Sequence, residues 1–185
     1  MKKLVNVFSR IAVVALIGAG LCLGVSAQAA ATKNEKKTEQ PSKSPATAAL
    51  SDKNKAFMKE AAKGGTIKVD MGKVAQQKGK SADVKKIGGT MVADHSKANA
   101  ELMAIAKKKG VDLSKEKAPK HSMNDANFDK EYLGMMVVDH QKDLAAFQGE
   151  AENGTDADVK AFASKTSAVI KRHLDMVKAA QAKMK

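Results

Sequence analysis

Tryptophan is absent from this chain of 185 residues, tyrosine occurs once and phenylalanine five times. So few aromatic platforms leave little on which nucleobases could stack, and a nucleic-acid partner is excluded. The single cysteine, Cys22, falls inside an N-terminal segment expected to be removed. What remains has no thiol, hence no disulfide and no thiolate metal site. Proline occurs three times, the last at Pro119, so nothing beyond it interrupts a helix. The longest apolar run, Ile11 to Val25, has 15 residues. That is short of the roughly 20 needed to span a bilayer. No phosphate-cradling loop follows a strand, because no stretch reads as strand. Gly64-Gly65 and Gly88-Gly89 lie inside helical patterns, where they permit close helix approach or a local kink.

Lys2, Lys3 and Arg10 precede the apolar run, and Ser26-Ala27-Gln28-Ala29 follows it with small residues at the −3 and −1 positions. This pattern predicts a secretory signal peptide over residues 1–29 and an address in the periplasm or at the outer membrane. The segment carries three basic residues and no acidic one, so its loss lowers the net charge from +13 to +10. A lysine-rich surface of that charge keeps a protein soluble and attracts anionic envelope polymers weakly. Residues 30–50 are mostly Lys, Ser, Thr, Pro and Ala, which cannot build a core, and predict a disordered linker. Residues 51–185 are enough for one domain with one core.

Alanine and lysine dominate that domain, and four helical segments separate cleanly. Ser51 is the expected N-cap of the first, which Gly79 ends. Ser81 starts the second and Gly110 ends it. A polar loop with Pro119 and His121 follows. The third begins near Asn124 or Asp125 and stops near Asn153-Gly154. Thr155-Asp156-Ala157-Asp158 reads as a capping box for the fourth. Four helices of similar length with mostly short loops predict an all-α, antiparallel up-down-up-down four-helix bundle.

The phrase MVADHSK (residues 91–97) returns as MVVDHQK (residues 136–142), holding two of the four histidines. At 100° per residue, His95 falls mid-stripe among Val84, Ile87, Met91 and Leu102. His140 does so among Tyr132, Met136, Leu144 and Phe147. His173 shares a face with Phe162, Ile170 and Val177. On the first helix Lys68 points inward with Phe57, Ala61, Gly64 and Met71. Counted from the helix ends in alternating directions, Lys68, His95 and His140 share one height and His173 lies about a turn away. A polar layer of Lys68, His95, His140 and His173 is thus expected at mid-core, with Met71 and Met91 on one side and Met136 and Met176 on the other. Asp94 and Asp139 sit at the stripe edges. From there each can reach a histidine of a neighbouring helix and set its tautomer, or pair with Lys97 and Lys142 at the surface. His121 is expected to be exposed.

The stretches FMKEAAKGGTIKVDMGKVAQQKG, MVADHSKANAEL, FDKEYLGMMVVDHQKDL and a late RHL resemble the bacterial domain of unknown function 4142 family, over about residues 52–180. The resemblance implies an exported or outer-membrane protein with a ferritin-like four-helix bundle and no firmly assigned activity. Members commonly carry Glu-Val-Glu-Leu-Gly where this chain has Lys68-Val69-Asp70-Met71-Gly72. A glutamate there would complete a divalent-metal set with three histidines, whereas a lysine repels a cation.

Three functional readings compete. The leading one is a non-catalytic envelope protein whose histidine layer is structural, with Lys68 reaching a carboxylate. The second is a periplasmic metal-binding protein that holds copper or zinc with His95, His140 and His173. The third is a ferritin-like enzyme. The Glu-x-x-His pattern of di-iron carboxylate proteins is missing, because Val92, Val137 and Ile170 stand three residues before the inward histidines. No nucleophile stands beside a base, so no catalytic residue is expected.

Overall fold

The computed structural model describes residues 50–184, Lys117 and Lys120 aside. The expected signal peptide and all of the expected linker except Leu50 lie outside the described residues. Leu50 itself is buried. Four long helices run over Asp52–Lys78 (α1), Ala82–Lys108 (α2), Phe128–Asn153 (α3) and Ala157–Ala182 (α4), with a short 3-10 turn at Asp125–Asn127 leading into α3. Among the described residues no helix is long and apolar enough to cross a membrane.

Side-chain caps start α1, α2 and α4, whereas Asn127 before α3 makes no cap bond. Ser51 accepts from the Asn54 N–H and Ser81 from the Val84 N–H, which satisfies first-turn donors that have no helical partner. The fourth cap differs from expectation. Asp156, not Thr155, accepts from the Asp158 and Val159 N–H groups. Thr155 instead donates to Asn54 at 2.7 Å, and Asn54 donates to the buried Glu150. That bond ties the start of α1 to the end of α3.

The expected up-down-up-down order is corrected by such end-to-end ties. Lys78 at the end of α1 pairs with Asp125 just before α3 at 2.7 Å. Lys108 at the end of α2 pairs with Asp158 at the start of α4 at 2.8 Å. Lys183 after α4 pairs with Asp83 at the start of α2 at 2.8 Å. Hence α2 and α3 run parallel, α1 and α4 run parallel, and they sit on diagonals. Neighbours around the square are α1–α2, α2–α4, α4–α3 and α3–α1, each pair antiparallel. Segment 109–124 is the reason. An extended chain of that length reaches about 50 Å, more than a helix of about 40 Å, so it returns along the bundle before α3 begins. Glu116 on the way pairs with Lys63 of α1 at 3.1 Å, and Pro119 and His121 lie against Ile67 and Val74. One long crossover therefore joins α2 to α3.

Two apolar clusters fill the bundle. Met71, Met91, Phe128, Tyr132, Met136 and Val177 occupy one end. Met58, Leu102, Leu113, Phe147, Phe162 and Ile170 occupy the other. The first helix turns slightly from its expected stripe, burying Met58 and Gly65 while Phe57 packs edge-on against Phe147 at 4.9 Å. α1 and α2 approach closest at Gly72 and Gly88, where a Cβ on Gly88 would lie 2.6 Å from the Gly72 carbonyl oxygen.

That contact has a measurable consequence. Gly88→Ala is expected to lower stability in urea unfolding by about 1–3 kcal/mol through overpacking. Gly149→Ala, at a helical position with nothing within 4 Å, is expected to raise it by up to about 1 kcal/mol. A stabilising Gly88→Ala would mean that α1 and α2 do not touch through their glycines.

Candidate metal centre

Between the two apolar clusters lies a layer of buried polar groups. His95 is 6% exposed, His140 and His173 are 0% exposed, and Lys68 is 2% exposed. The three imidazole centroids stand 5.2–5.6 Å apart. One ring nitrogen from each lies within 4.8 Å of the others. His173 is therefore level with its companions, not a turn away. Met71, Met91 and Met136 share one cluster, with Met176 packed against it, so they do not divide across the layer. One cause explains both corrections. Reversing the α3–α4 hairpin puts His173 as far from the start of an ascending helix as Lys68, sixteen residues in each case. It also puts Met136 above His140, just as Met91 is above His95.

The outer nitrogens define the protonation of the inner ones. His140 Nδ1 lies 2.8 Å from the Met136 carbonyl, which can only accept. His173 Nε2 lies 2.8 Å from Asp94 Oδ2, again an acceptor. Each ring must donate outward, so His140 Nε2 and His173 Nδ1 carry lone pairs. Both are buried without a partner, as is His95 Nε2. Asp94 is held in turn by Arg172 at 3.2 Å. A carboxylate that fixes a histidine's tautomer is the usual outer support of a metal ligand.

The two aspartates of the repeated phrase behave alike on different partners. Asp94 on α2 reaches His173 on α4. Asp139 on α3 reaches Lys68 on α1, at 3.4 Å. Asp139 thus contacts no histidine, because its neighbouring helix presents a lysine. Asp143 binds Lys68 more closely, at 2.7 Å. Two carboxylates against one ammonium leave this corner with a formal charge of −1, which offsets the repulsion that Lys68 alone would exert on a cation. Sequence reasoning did not single out Asp143 or Arg172. The i,i+4 spacing of Asp139 and Asp143, facing an inward lysine, was the available signal. His121 is exposed and donates Nδ1–H to the Pro119 carbonyl, away from the layer.

Burial governs titration here. It pushes His95 down to about 2, assisted by the charges of His173, His140 and Lys68. It pushes His140 down to about 4 despite the Met136 bond. His173 is lowered by burial, partly countered by Asp94. For Asp94, burial works upward, but the hydrogen bond and charge of His173, then those of Arg172, bring it below the ordinary carboxylate value. The three imidazoles are thus neutral at neutral pH and present lone pairs, the form that binds a metal.

These features define a four-helix bundle with a buried three-histidine centre. The model of the domain of unknown function DUF4142 matches residues 39–180, and the chain belongs to that family. No curated protein and no solved structure matches it.

The sign of the pH dependence follows from the depressed values. Unfolded histidines bind protons near pH 6.5, while folded His95 and His140 wait until pH is about 2 and 4. Between these limits the unfolded state holds more protons, so stability rises with pH. The metal-free protein should lose about 1.4 kcal/mol per such histidine per pH unit as pH falls from about 6.5 to about 5, above the range where carboxylates titrate. Urea midpoints measured in chelator across that interval test this. A flat profile would mean that the folded triad takes up protons freely.

Proposed function

We propose that this protein binds one borderline first-row metal ion, zinc or copper, through His95 Nε2, His140 Nε2 and His173 Nδ1. The observation that carries the reading is the set of three buried ring nitrogens without partners. A purely structural layer would satisfy its own members. Here two of the three inner nitrogens are acceptors by tautomer, and His95 can offer at most one N–H between them. At about 1–3 kcal/mol for each unsatisfied buried group, such a layer is a net cost to the fold unless something binds it.

Imidazole nitrogen suits zinc and copper, and no carboxylate or thiolate joins the three histidines to favour a harder or softer ion. The Asp94–His173 pair orients one ligand. The carboxylates of Asp139 and Asp143 neutralise Lys68. Zn–N bonds of about 2.0–2.1 Å require the rings to draw together from their present spacing, which small rotations of three side chains on rigid helices can supply. The signal-like residues 1–29 support an exported, envelope-located role, with the ion taken up or kept in the periplasm.

Dialysis against zinc or copper(II), followed by metal counting, is the test. About one equivalent is expected to remain on the wild-type protein and to be lost from His95→Ala and His140→Ala. Asp94→Asn should keep the ligands but weaken affinity about 10–100-fold. If the wild type retains no metal, the layer is a structural device and this reading fails.

A further inference from the structure

Three protein ligands leave a tetrahedral ion one position short. Structural zinc sites fill all four with protein groups, whereas sites that act on other molecules keep one open. Histidines on three helices and Lys68 on the fourth take up the directions across the bundle, so the remaining position runs along its axis. On one side that axis is blocked by Met91 and Met136, each 0% exposed. On the other side lies a cavity of about 20 Å³ bounded by Gly65, Asn99, Asp143, Thr166 and, alone of the three histidines, His95. This is room for about one water with several polar partners.

The cavity is built. A Cβ at Gly65 would come within 1.9 Å of Asn99 Oδ1. The missing side chain on α1 is therefore what lets the Asn99 amide reach in from α2. Thr166, 6% exposed on α4, lines the same space. A second, larger hollow of about 150 Å³ opens between α2 and α4 beside Asp94, Lys97, Lys165 and Arg172. His95, Ala98 and Thr166 line both, and so form the wall between the buried cavity and the outer cleft. Its charged lining is three cations and two carboxylates, with Glu101 paired to Lys165 at 2.6 Å and Asp94 to Arg172 at 3.2 Å, and the formal net charge of +1, carried at Lys97, favours an anion approaching from outside.

We propose that the ion's fourth position faces this cavity and holds a water that exchanges with a small monoanion entering by the α2–α4 cleft. Asn99 and Thr166 donate hydrogen bonds to the bound ligand. The Phe147 and Phe162 rings lining the same cavity exclude bulkier donors. The inference rests on the metal reading above, and one probe separates them.

Cobalt(II) is loaded in place of the native ion and its visible absorption recorded, then azide is titrated in. Expected are uptake of about one cobalt with a four-coordinate spectrum, a saturable azide-dependent change, and an azide affinity about tenfold weaker in Thr166→Val, which loses a donor to a charged ligand. Cobalt uptake with a spectrum indifferent to azide would show a closed centre, overturning this inference while leaving the metal reading intact. A response of unchanged affinity in Thr166→Val would place the exchange elsewhere and overturn it as well. Failure to bind cobalt at all overturns both.

Discussion

Three neutral imidazoles meet in the middle of an otherwise apolar bundle, two of them with inward lone pairs, and much of the architecture is arranged around that meeting. Two of the rings are held so that the outer nitrogen donates and the inner nitrogen does not. For His140 the helix itself supplies the acceptor, the Met136 carbonyl one turn earlier. For His173 the acceptor comes from another helix, Asp94. The apolar clusters at either end then fix the helices in register. Close packing above and below leaves the layer little room to escape by rotating side chains outward.

Parallel α2 and α3 give the repeated phrase its meaning. Helices on one diagonal that run the same way are related by an approximate two-fold along the bundle axis, and so are α1 and α4. Under that rotation MVADH lies on MVVDH, His95 on His140 and Asp94 on Asp139. His173 then corresponds to Lys68, and the two bonds, Asp94 to His173 and Asp139 to Lys68, are the same contact made twice. Lysine thus occupies the place of a fourth inward ligand. Its ammonium is drawn to the Asp139–Asp143 edge, which leaves the centre with three ligands and a defined open direction. The shared cavity with Asn99 and Thr166 lies along that direction.

Gly65 and the Gly72–Gly88 contact give the helical glycines separate work. The second brings α1 and α2 backbone to backbone. The first admits the Asn99 amide beside the histidines. From the sequence both glycine pairs read as sites of close helix approach or a local kink. That one of them shapes a cavity becomes visible only when α2 is laid against α1.

The sequence by itself determined the four helices, the Ser51 and Ser81 caps, and the inward stripes that carry Lys68, His95, His140 and His173. These follow from periods of 3.6 residues and from side-chain chemistry within a few positions, which act before any tertiary contact forms. Tertiary structure alone decided the direction of α3. Loop 109–124 is long enough either to turn back or to cross, and the end-to-end pairs Lys78–Asp125 and Lys183–Asp83 show that it crosses. That one choice set the height of His173 and the side on which Met136 lies. It also set which partner each aspartate found, because heights and neighbours in a bundle depend on how helices run past one another and not on what each contains.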